Sequence, residues 1–222
     1  MQAIIFDLDG TLIDNMMVHH RAWQRKLKEL GLDYTMEQVM EEIHGVNLEI
    51  LERLFGERFT LEERKQIAWE KEEAYRDIYA AEIKPIPGVM EMLDRAKALN
   101  IPMAIATAGP PENCFFALDG LGIRDYFGHI VHSAMVSKGK PHPEAFQQAA
   151  DGLGIPLENC LVFEDSVTGA KAAANGNCPA IVITTTHREE EFAEFDHIVA
   201  FVKDYEGLVL EINEGKFEVR IG

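Results

Sequence analysis

The pattern of apolar and polar positions changes several times along the chain, and each change predicts a structural element. Residues 2–8 form a largely apolar run, which is typical of a strand buried on both faces of a parallel sheet. From about residue 15, aromatic or apolar side chains recur at every third or fourth position, as at His19, Trp23 and Leu27. This spacing predicts an amphipathic helix.

The stretch from 15 to about 82 predicts helices and no clear strand. Further helical patterns lie near 36–43, 47–55 and 60–80. Thr60 followed by Glu63 resembles a capping box, which favours a helix start at that point. We therefore expect a helical insert after the first strand.

Residues 84–88, rich in proline and glycine, predict a linker, after which helical and strand patterns alternate. Helices are predicted at 88–99, 111–121, 142–153 and 167–175, and strands at 103–106, 129–131, 161–163 and 180–183. This alternation predicts a doubly wound α/β fold, a parallel sheet covered by helices on both faces. The predicted domains are a Rossmann-like core, residues 1–14 and 84–222, and an inserted α-helical cap, residues 15–83.

The C-terminal residues show a different pattern. Two apolar segments flank Asn213-Glu214-Gly215, which predicts a β-hairpin over 208–221. We expect this hairpin either to add an antiparallel edge to the sheet or to pair with another subunit. The protein itself is expected to be a monomer or a weak dimer.

Composition narrows the classes of partner. The net charge of −17, from 38 acidic and 21 basic residues among 222, disfavours nucleic acid and anionic membranes. Three cysteines without a CxxC spacing fit a reduced cytoplasmic protein. We see neither a signal peptide nor an uncharged apolar run of the roughly eighteen residues that a membrane helix needs. A cytoplasmic location is therefore expected.

Two aspartates follow the first strand. Strand side chains alternate between faces, so Asp7 and Asp9 are predicted to leave the strand on the same side. Ligands bind at the carboxyl ends of strands in open α/β sheets. Two carboxylates held close together repel each other, which favours a cation or a catalytic use at this position.

Polar residues also follow the three next strands. Thr107 follows the second strand, Lys140 the third, and Glu164 with Asp165 the fourth. Each has a structural interpretation by itself: Thr107 as a helix cap, Lys140 as a solvated charge and Asp165 as a helix cap. Together, at corresponding strand ends, they predict one functional site.

These four clusters resemble the motifs of the haloacid dehalogenase-like superfamily of phosphotransferases. Asp7-Leu8-Asp9-Gly10-Thr11 matches the first motif, Thr107 the second, Lys140 the third and Glu164-Asp165 the fourth. The matches follow the family order across nearly the whole chain. The helical insert resembles the cap of the subgroup that holds β-phosphoglucomutases, phosphoglycolate phosphatases and small sugar-phosphate phosphatases.

The resemblance implies a mechanism. Asp7 attacks phosphorus and forms an aspartyl-phosphate, while Asp9 acts as acid and then as base. Thr107, Ala108 and Lys140 bind the phosphoryl group.

The resemblance also implies a Mg²⁺ cofactor. Its implied ligands are Asp7, Asp165 and the backbone carbonyl of Asp9. Glu164 lies close by or binds the ion through water. The implied partner is a small phosphorylated metabolite.

The cap is expected to select the substrate. His19 and Lys71 match cap positions of the β-phosphoglucomutase subgroup, and His44 and Asn47 are further candidates for substrate binding. Without the resemblance, His19 is also consistent with a packed core histidine and Lys71 with a solvated helix charge.

Two departures argue against a mutase, which must bind a second phosphate. Leu48 occupies the region where the mutases carry a cap arginine, and Gly109-Pro110-Pro111 replaces polar and basic residues after the second motif. We therefore expect a phosphatase acting on a sugar or polyol phosphate. A β-phosphoglucomutase, an inorganic pyrophosphatase and a non-catalytic scaffold remain as alternatives, in that order.

Overall fold

The computed structural model describes residues 1–213 and 215–221. Position 214, in the turn of the predicted hairpin, and position 222 lie outside the described residues. The chain divides into two compact units. The core unit comprises Met1–Asp14 and the chain from Lys84 onward, and the cap unit comprises Asn15–Ile83.

The cap unit is helical. Its helices are α1 (Met16–Glu29), α2 (Met36–Glu42), α3 (Asn47–Phe55) and α4 (Leu61–Tyr79). They enclose an apolar cluster that includes Trp23, Leu27 and Leu51. The predicted capping box at Thr60 is present, with the Thr60 hydroxyl accepting from the backbone of Glu63 and the Glu63 side chain accepting from the backbone of Thr60.

The core unit contains a six-stranded parallel sheet in the order β3-β2-β1-β4-β5-β6. The strands are β1 (Ala3–Phe6), β2 (Met103–Ala106), β3 (His129–Val131), β4 (Cys160–Glu164), β5 (Ala180–Ile183) and β6 (Ile198–Val202). The helices of the core unit are α5 (Val89–Ala98), α6 (Pro111–Gly120), α7 (Glu144–Leu153) and α8 (Val167–Asn175). The predicted doubly wound α/β fold is confirmed. Along the described residues, no helix is both long and apolar enough to cross a membrane.

Strand β1 is apolar throughout because it is buried on both faces. On one face Ile5 joins a cluster with Phe146 of α7 and Ala172 of α8. On the other face Phe6 stacks on Phe163 of β4, with the ring centroids 5.1 Å apart. Packing on both faces thus holds β1 and β4 in place, and with these strands the residues at their carboxyl ends.

The sixth strand, β6, was not predicted. It runs parallel to β5, and the connection between them contains only a short 3-10 helix at Glu189–Phe192. The alternating pattern predicts a full helix between successive strands, and none lies between β5 and the apolar segment beginning at Ile198. The strand extends the sheet beyond β5.

The C-terminal hairpin consists of β7 (Leu208–Asn213) and β8 (Lys216–Ile221), which pair antiparallel as a separate two-stranded sheet. The expectation that it adds an edge to the main sheet is therefore wrong. Its inner side chains include the buried Leu210 and Phe217. Phe217 exchanges hydrogen bonds with Met1, at 3.0 Å to its carbonyl and 2.9 Å from its amide. The hairpin thus packs onto the start of the chain.

Candidate active site

The two aspartates lie just beyond β1 rather than within it. The strand ends at Phe6, and the Asp7 amide continues the pairing by donating to the Phe163 carbonyl at 2.9 Å. Asp9 lies two residues further on, in an isolated bridge with Ile13, directly before the turn that begins at Gly10. That the two side chains leave on the same side stays a prediction. Asp7 is buried and Asp9 half-buried.

Gly10 allows this turn to approach the end of β4. Its φ of +78° is a left-handed conformation that glycine adopts readily. A Cβ at this position would lie 2.3 Å from Asp165 Oδ2, which is closer than atoms can pack. Glycine is therefore required here both for the backbone conformation and for the space that the Asp165 carboxylate occupies.

Lys140 joins the ends of β1 and β4. Its ammonium donates to Asp7 Oδ1 and to Glu164 Oε1, each at 2.6 Å. The loop that carries it is anchored at the start of α7, where the Glu144 carboxylate accepts from the amides of Ser137 at 2.8 Å and Lys138 at 2.9 Å. Lys140 is thus a buried cation held between two carboxylates.

Both carboxylate oxygens of Glu164 accept hydrogen bonds. Oε1 accepts from Lys140, and Oε2 accepts from the amides of Asp165 and Ser166 at 2.8 Å each. A Cβ at Gly169 would lie 1.7 Å from Oε1, so α8 needs glycine beside this side chain. Burial alone would raise the pKa of Glu164, but Lys140 and the two amides hold it below its usual value. Glu164 is therefore an ionised group that orients Lys140.

Asp7, Glu164 and Asp165 form a buried acidic cluster. One oxygen from each lies within 4.8 Å of the others, so the three could hold a metal ion. Burial and the neighbouring carboxylates raise the pKa of Asp7 to about 7, despite Lys140, and raise that of Asp165 as well. The donors are all oxygens, the set preferred by hard divalent cations. The residues present therefore fit such an ion; the Asp9 side chain is not part of this cluster.

The second predicted motif lies close to Asp9. The buried Thr107 hydroxyl accepts from the Gly109 amide at 3.0 Å, and α6 begins two residues later at Pro111. A Cβ at Gly109 would lie 3.1 Å from Asp9 Oδ2 and 3.3 Å from Thr107 Oγ1. Thr107 and Asp9 therefore flank the same glycine, while Ala108 is exposed.

The segment after β5 was missed by the sequence analysis. The Thr185 hydroxyl donates to the Gly10 carbonyl, and the Thr186 hydroxyl lies against Asp165 Oδ2. His187 Nδ1 lies 3.2 Å from the Asp165 carbonyl. The sequence does contain a signal for it, because the polar run 184–187 follows an apolar strand just as the four recognised clusters do.

The cap unit contains its own polar cluster, built around the buried Lys71. The Lys71 ammonium donates to His19 Nδ1 and to Glu72 Oε1, each at 2.9 Å. Asn47 Nδ2 also donates to Glu72 Oε1, at 2.6 Å. Glu72 was not predicted. Within the described chain the exposed His44 ring makes no hydrogen bond to this cluster, so the structure joins three of the four predicted cap residues.

The contacts of His19 define its protonation. An ammonium can only donate, so Nδ1 accepts from Lys71 and the neutral ring carries its proton on Nε2. Burial and Lys71 lower the pKa of His19 to about 3, although Glu72 acts in the opposite direction. The ring stacks on Tyr75 with the centroids 4.0 Å apart. His19 is therefore a neutral hydrogen-bonding group near pH 7.

We expect His19→Asn to reduce the loss of stability on acidification. Below its unfolded pKa of 6.5, His19 takes up a proton in the unfolded chain but not in the folded one. Stability therefore falls as pH falls, by about 2 kcal/mol from pH 7 to pH 5 for a shift of this size. Urea unfolding at the two pH values measures it. The exposed His44→Asn is the matched control, and an equal benefit from both substitutions would contradict the assignment.

Comparison with known proteins agrees with the class that the geometry defines, an α/β enzyme with an acidic site at the carboxyl ends of a parallel sheet. The profile of the haloacid dehalogenase-like hydrolase family matches residues 1–177. The chain belongs to this family.

Its relatives include a phosphorylated carbohydrates phosphatase of Thermotoga maritima, 32% identical over 186 residues, covering 82% of this chain and 84% of the relative. A haloacid dehalogenase family hydrolase of Entamoeba histolytica has a TM-score of 0.86 at 25% identity, covering 94% of this chain and 96% of the other. A β-phosphoglucomutase of Clostridium difficile has a TM-score of 0.78 at 28% identity, covering 92% of each chain. The expected enzyme class, a phosphoric monoester hydrolase of this family, is confirmed.

Proposed function

We propose that this protein hydrolyses small phosphate monoesters, with a sugar or polyol phosphate as substrate, through an aspartyl-phosphate on Asp7. The observation that carries the proposal is the buried Asp7 carboxylate, held 2.6 Å from Lys140 beside Glu164 and Asp165. The Thermotoga maritima relative, a phosphorylated carbohydrates phosphatase, supports the substrate class.

The proposed reaction has two displacements. A carboxylate oxygen of Asp7 attacks phosphorus, forming a new P–O bond while the ester P–O bond breaks, and Asp9 gives its proton to the leaving oxygen. Water then attacks phosphorus, Asp9 takes a proton from it, and inorganic phosphate and free Asp7 are released. In this proposal Lys140 and Thr107 stabilise charge on the equatorial oxygens.

Mg²⁺ is the proposed cofactor. Asp7 and Asp165 would hold it through their side chains, and Asp9 through its backbone carbonyl. When bound, such an ion neutralises charge on the phosphoryl group. Glu164 contributes mainly by orienting Lys140, because its oxygens already accept hydrogen bonds from that ammonium and from two amides.

The proposed cap chemistry favours a monophosphate over a bisphosphate. We assign His19, His44, Asn47 and Lys71 to recognition of the organic part of the substrate. The Lys71 charge is balanced by Glu72 at 2.9 Å, and burial keeps His19 neutral. This balanced cluster suits hydroxyl groups better than a second phosphate, which binds best to charged donors.

The test is a phosphate-release screen. The purified protein with Mg²⁺ is assayed against sugar, polyol and glycolate monophosphates, with pyrophosphate included. We expect release from at least one sugar or polyol phosphate and little from pyrophosphate. Failure to release phosphate from any of them would contradict the proposal.

The mutase alternative needs a separate assay, because the Clostridium difficile neighbour is a β-phosphoglucomutase. β-Glucose 1-phosphate is supplied together with glucose 1,6-bisphosphate, and glucose 6-phosphate is followed. We expect no catalytic formation of glucose 6-phosphate. Its formation at a rate above phosphate release would replace our proposal with the mutase.

A further inference from the structure

We propose that Thr186, supported by His187, is a positioning residue that holds Asp165 ready to bind the metal ion. The inference rests on the proposed function, because the cation concerned is the Mg²⁺ assigned there. These two residues lie beyond the four strand-end clusters, in the segment that follows β5. Their role is to fix a carboxylate, and they do not touch the reacting atoms.

The contacts of Thr186 are concentrated on Asp165. Its hydroxyl oxygen lies within hydrogen-bond distance of Oδ2 of the carboxylate, and 3.0 Å from the backbone carbonyl of the same residue. The second carboxylate oxygen, Oδ1, accepts a longer hydrogen bond, 3.3 Å, from the Thr11 hydroxyl. The shorter hydrogen bond to Asp165 is therefore at Oδ2, which favours Oδ1 as the oxygen that coordinates a cation.

The direction of each hydrogen bond follows from what the groups can do. The Asp165 carbonyl can only accept, so His187 Nδ1, 3.2 Å away, carries a proton. The same nitrogen lies 2.8 Å from the Thr186 oxygen and can share this proton with it. The single hydroxyl proton of Thr186 is then directed to Oδ2. A chain of donors runs from His187 through Thr186 to the carboxylate.

The segment is anchored on both sides. Thr184, directly after β5, donates its amide to the Val202 carbonyl of β6 at 2.9 Å. The His187 ring packs edge-on against the buried Phe192, with the centroids 6.0 Å apart. The unpredicted sixth strand and its connection thus support the donor chain. Groups that orient metal ligands from behind commonly change metal affinity about 10–100-fold when removed.

The experiment measures Mg²⁺ binding directly. Isothermal titration calorimetry of chelator-treated full-length protein gives the dissociation constant for Mg²⁺ without substrate. We expect Thr186→Val to weaken binding about 10-fold or more, because it removes the hydroxyl and keeps the shape. Thr186→Ser, which retains the hydroxyl, is expected to bind nearly as tightly as the wild type.

Thr184→Val is the matched control. It makes the same chemical change two residues earlier, where the hydroxyl contacts the Val202 carbonyl at 3.4 Å and not Asp165. We expect it to leave Mg²⁺ affinity unchanged. Equal weakening by both valine variants, or no weakening by Thr186→Val, would overturn the inference. If Thr186→Val is poorly folded, His187→Phe serves instead, since it keeps a ring against Phe192 but lacks the donor.

The two proposals fail in different ways. A wild type that releases phosphate with Mg²⁺, together with a Thr186→Val variant of undiminished Mg²⁺ affinity, would overturn this inference and leave the proposed function intact. A wild type that neither binds Mg²⁺ nor releases phosphate would overturn both. If the wild type binds Mg²⁺ and Thr186→Val binds it more weakly, the inference is supported whatever ester the enzyme hydrolyses.

Discussion

Asp7→Asn is expected to reduce phosphate release by roughly 10⁴-fold or more, because an amide cannot act as the nucleophile that the carboxylate provides. The loss should appear in kcat with every ester that the wild type hydrolyses. A phosphate-release assay at saturating substrate measures it. Asp151→Asn, an exposed aspartate of α7 in the same unit, makes the same chemical change and should leave the rate unchanged. Residual activity above a few per cent would remove Asp7 from its assigned role.

The same variant should not owe its inactivity to unfolding. The folded pKa of Asp7, about 7, lies above the ordinary aspartate pKa of 3.8 that applies to the unfolded chain. The stability it contributes is therefore fully present below about pH 4 and is lost as pH rises from there through about 7. Asparagine does not ionise, so the metal-free variant should be at least as stable as the wild type at pH 8. Thermal unfolding with a chelator present checks this, and a markedly lower Tm at pH 8 would contradict it.

The sequence was sufficient to predict the parallel sheet because a strand buried on both faces is a continuous run of apolar residues. Strand β1 is uniformly apolar and β4 is apolar up to its last residue, Glu164, and acidic residues follow both, which indicated the sheet and its functional edge. The strand β6 was harder to predict. It lies at the edge of the sheet, its side chains are partly exposed, and no full helix precedes it.

Some contacts of the site could likewise be predicted from the sequence, and others could not. Asp7 and Lys140 follow strands of the predicted parallel sheet and Glu164 ends one, so their convergence at the carboxyl edge could be anticipated. The hydrogen bonds from Thr186 to Asp165 and from Lys71 to Glu72 depend on side-chain directions that spacing alone does not define. Lys71 and Glu72 are neighbours within an acidic stretch of α4, where sequence gives no reason to select one glutamate over another.

Lys140→Met is expected to lower both activity and stability. The substitution keeps an apolar stem but removes the ammonium that lies 2.6 Å from both Asp7 and Glu164. Two buried carboxylates would then lose their shared cation, and breaking a buried pair in this way costs about 3–5 kcal/mol. Urea unfolding of the metal-free protein measures the loss. Lys138→Met, at an exposed position of the same loop, is the control and should change stability by no more than about 0.5 kcal/mol.

The activity of Lys140→Met should fall at least about 10²-fold, since a preorganised charge beside the reacting group is worth this much or more. Adding Glu164→Gln separates the two effects. The double variant no longer buries an unpaired charge at Glu164, so it should recover part of the lost stability. It should not recover activity, because the ammonium that would stabilise the phosphoryl group is still absent. Recovery of both together would mean that Lys140 acts only by holding the fold, whereas recovery of stability alone supports its assignment to phosphate.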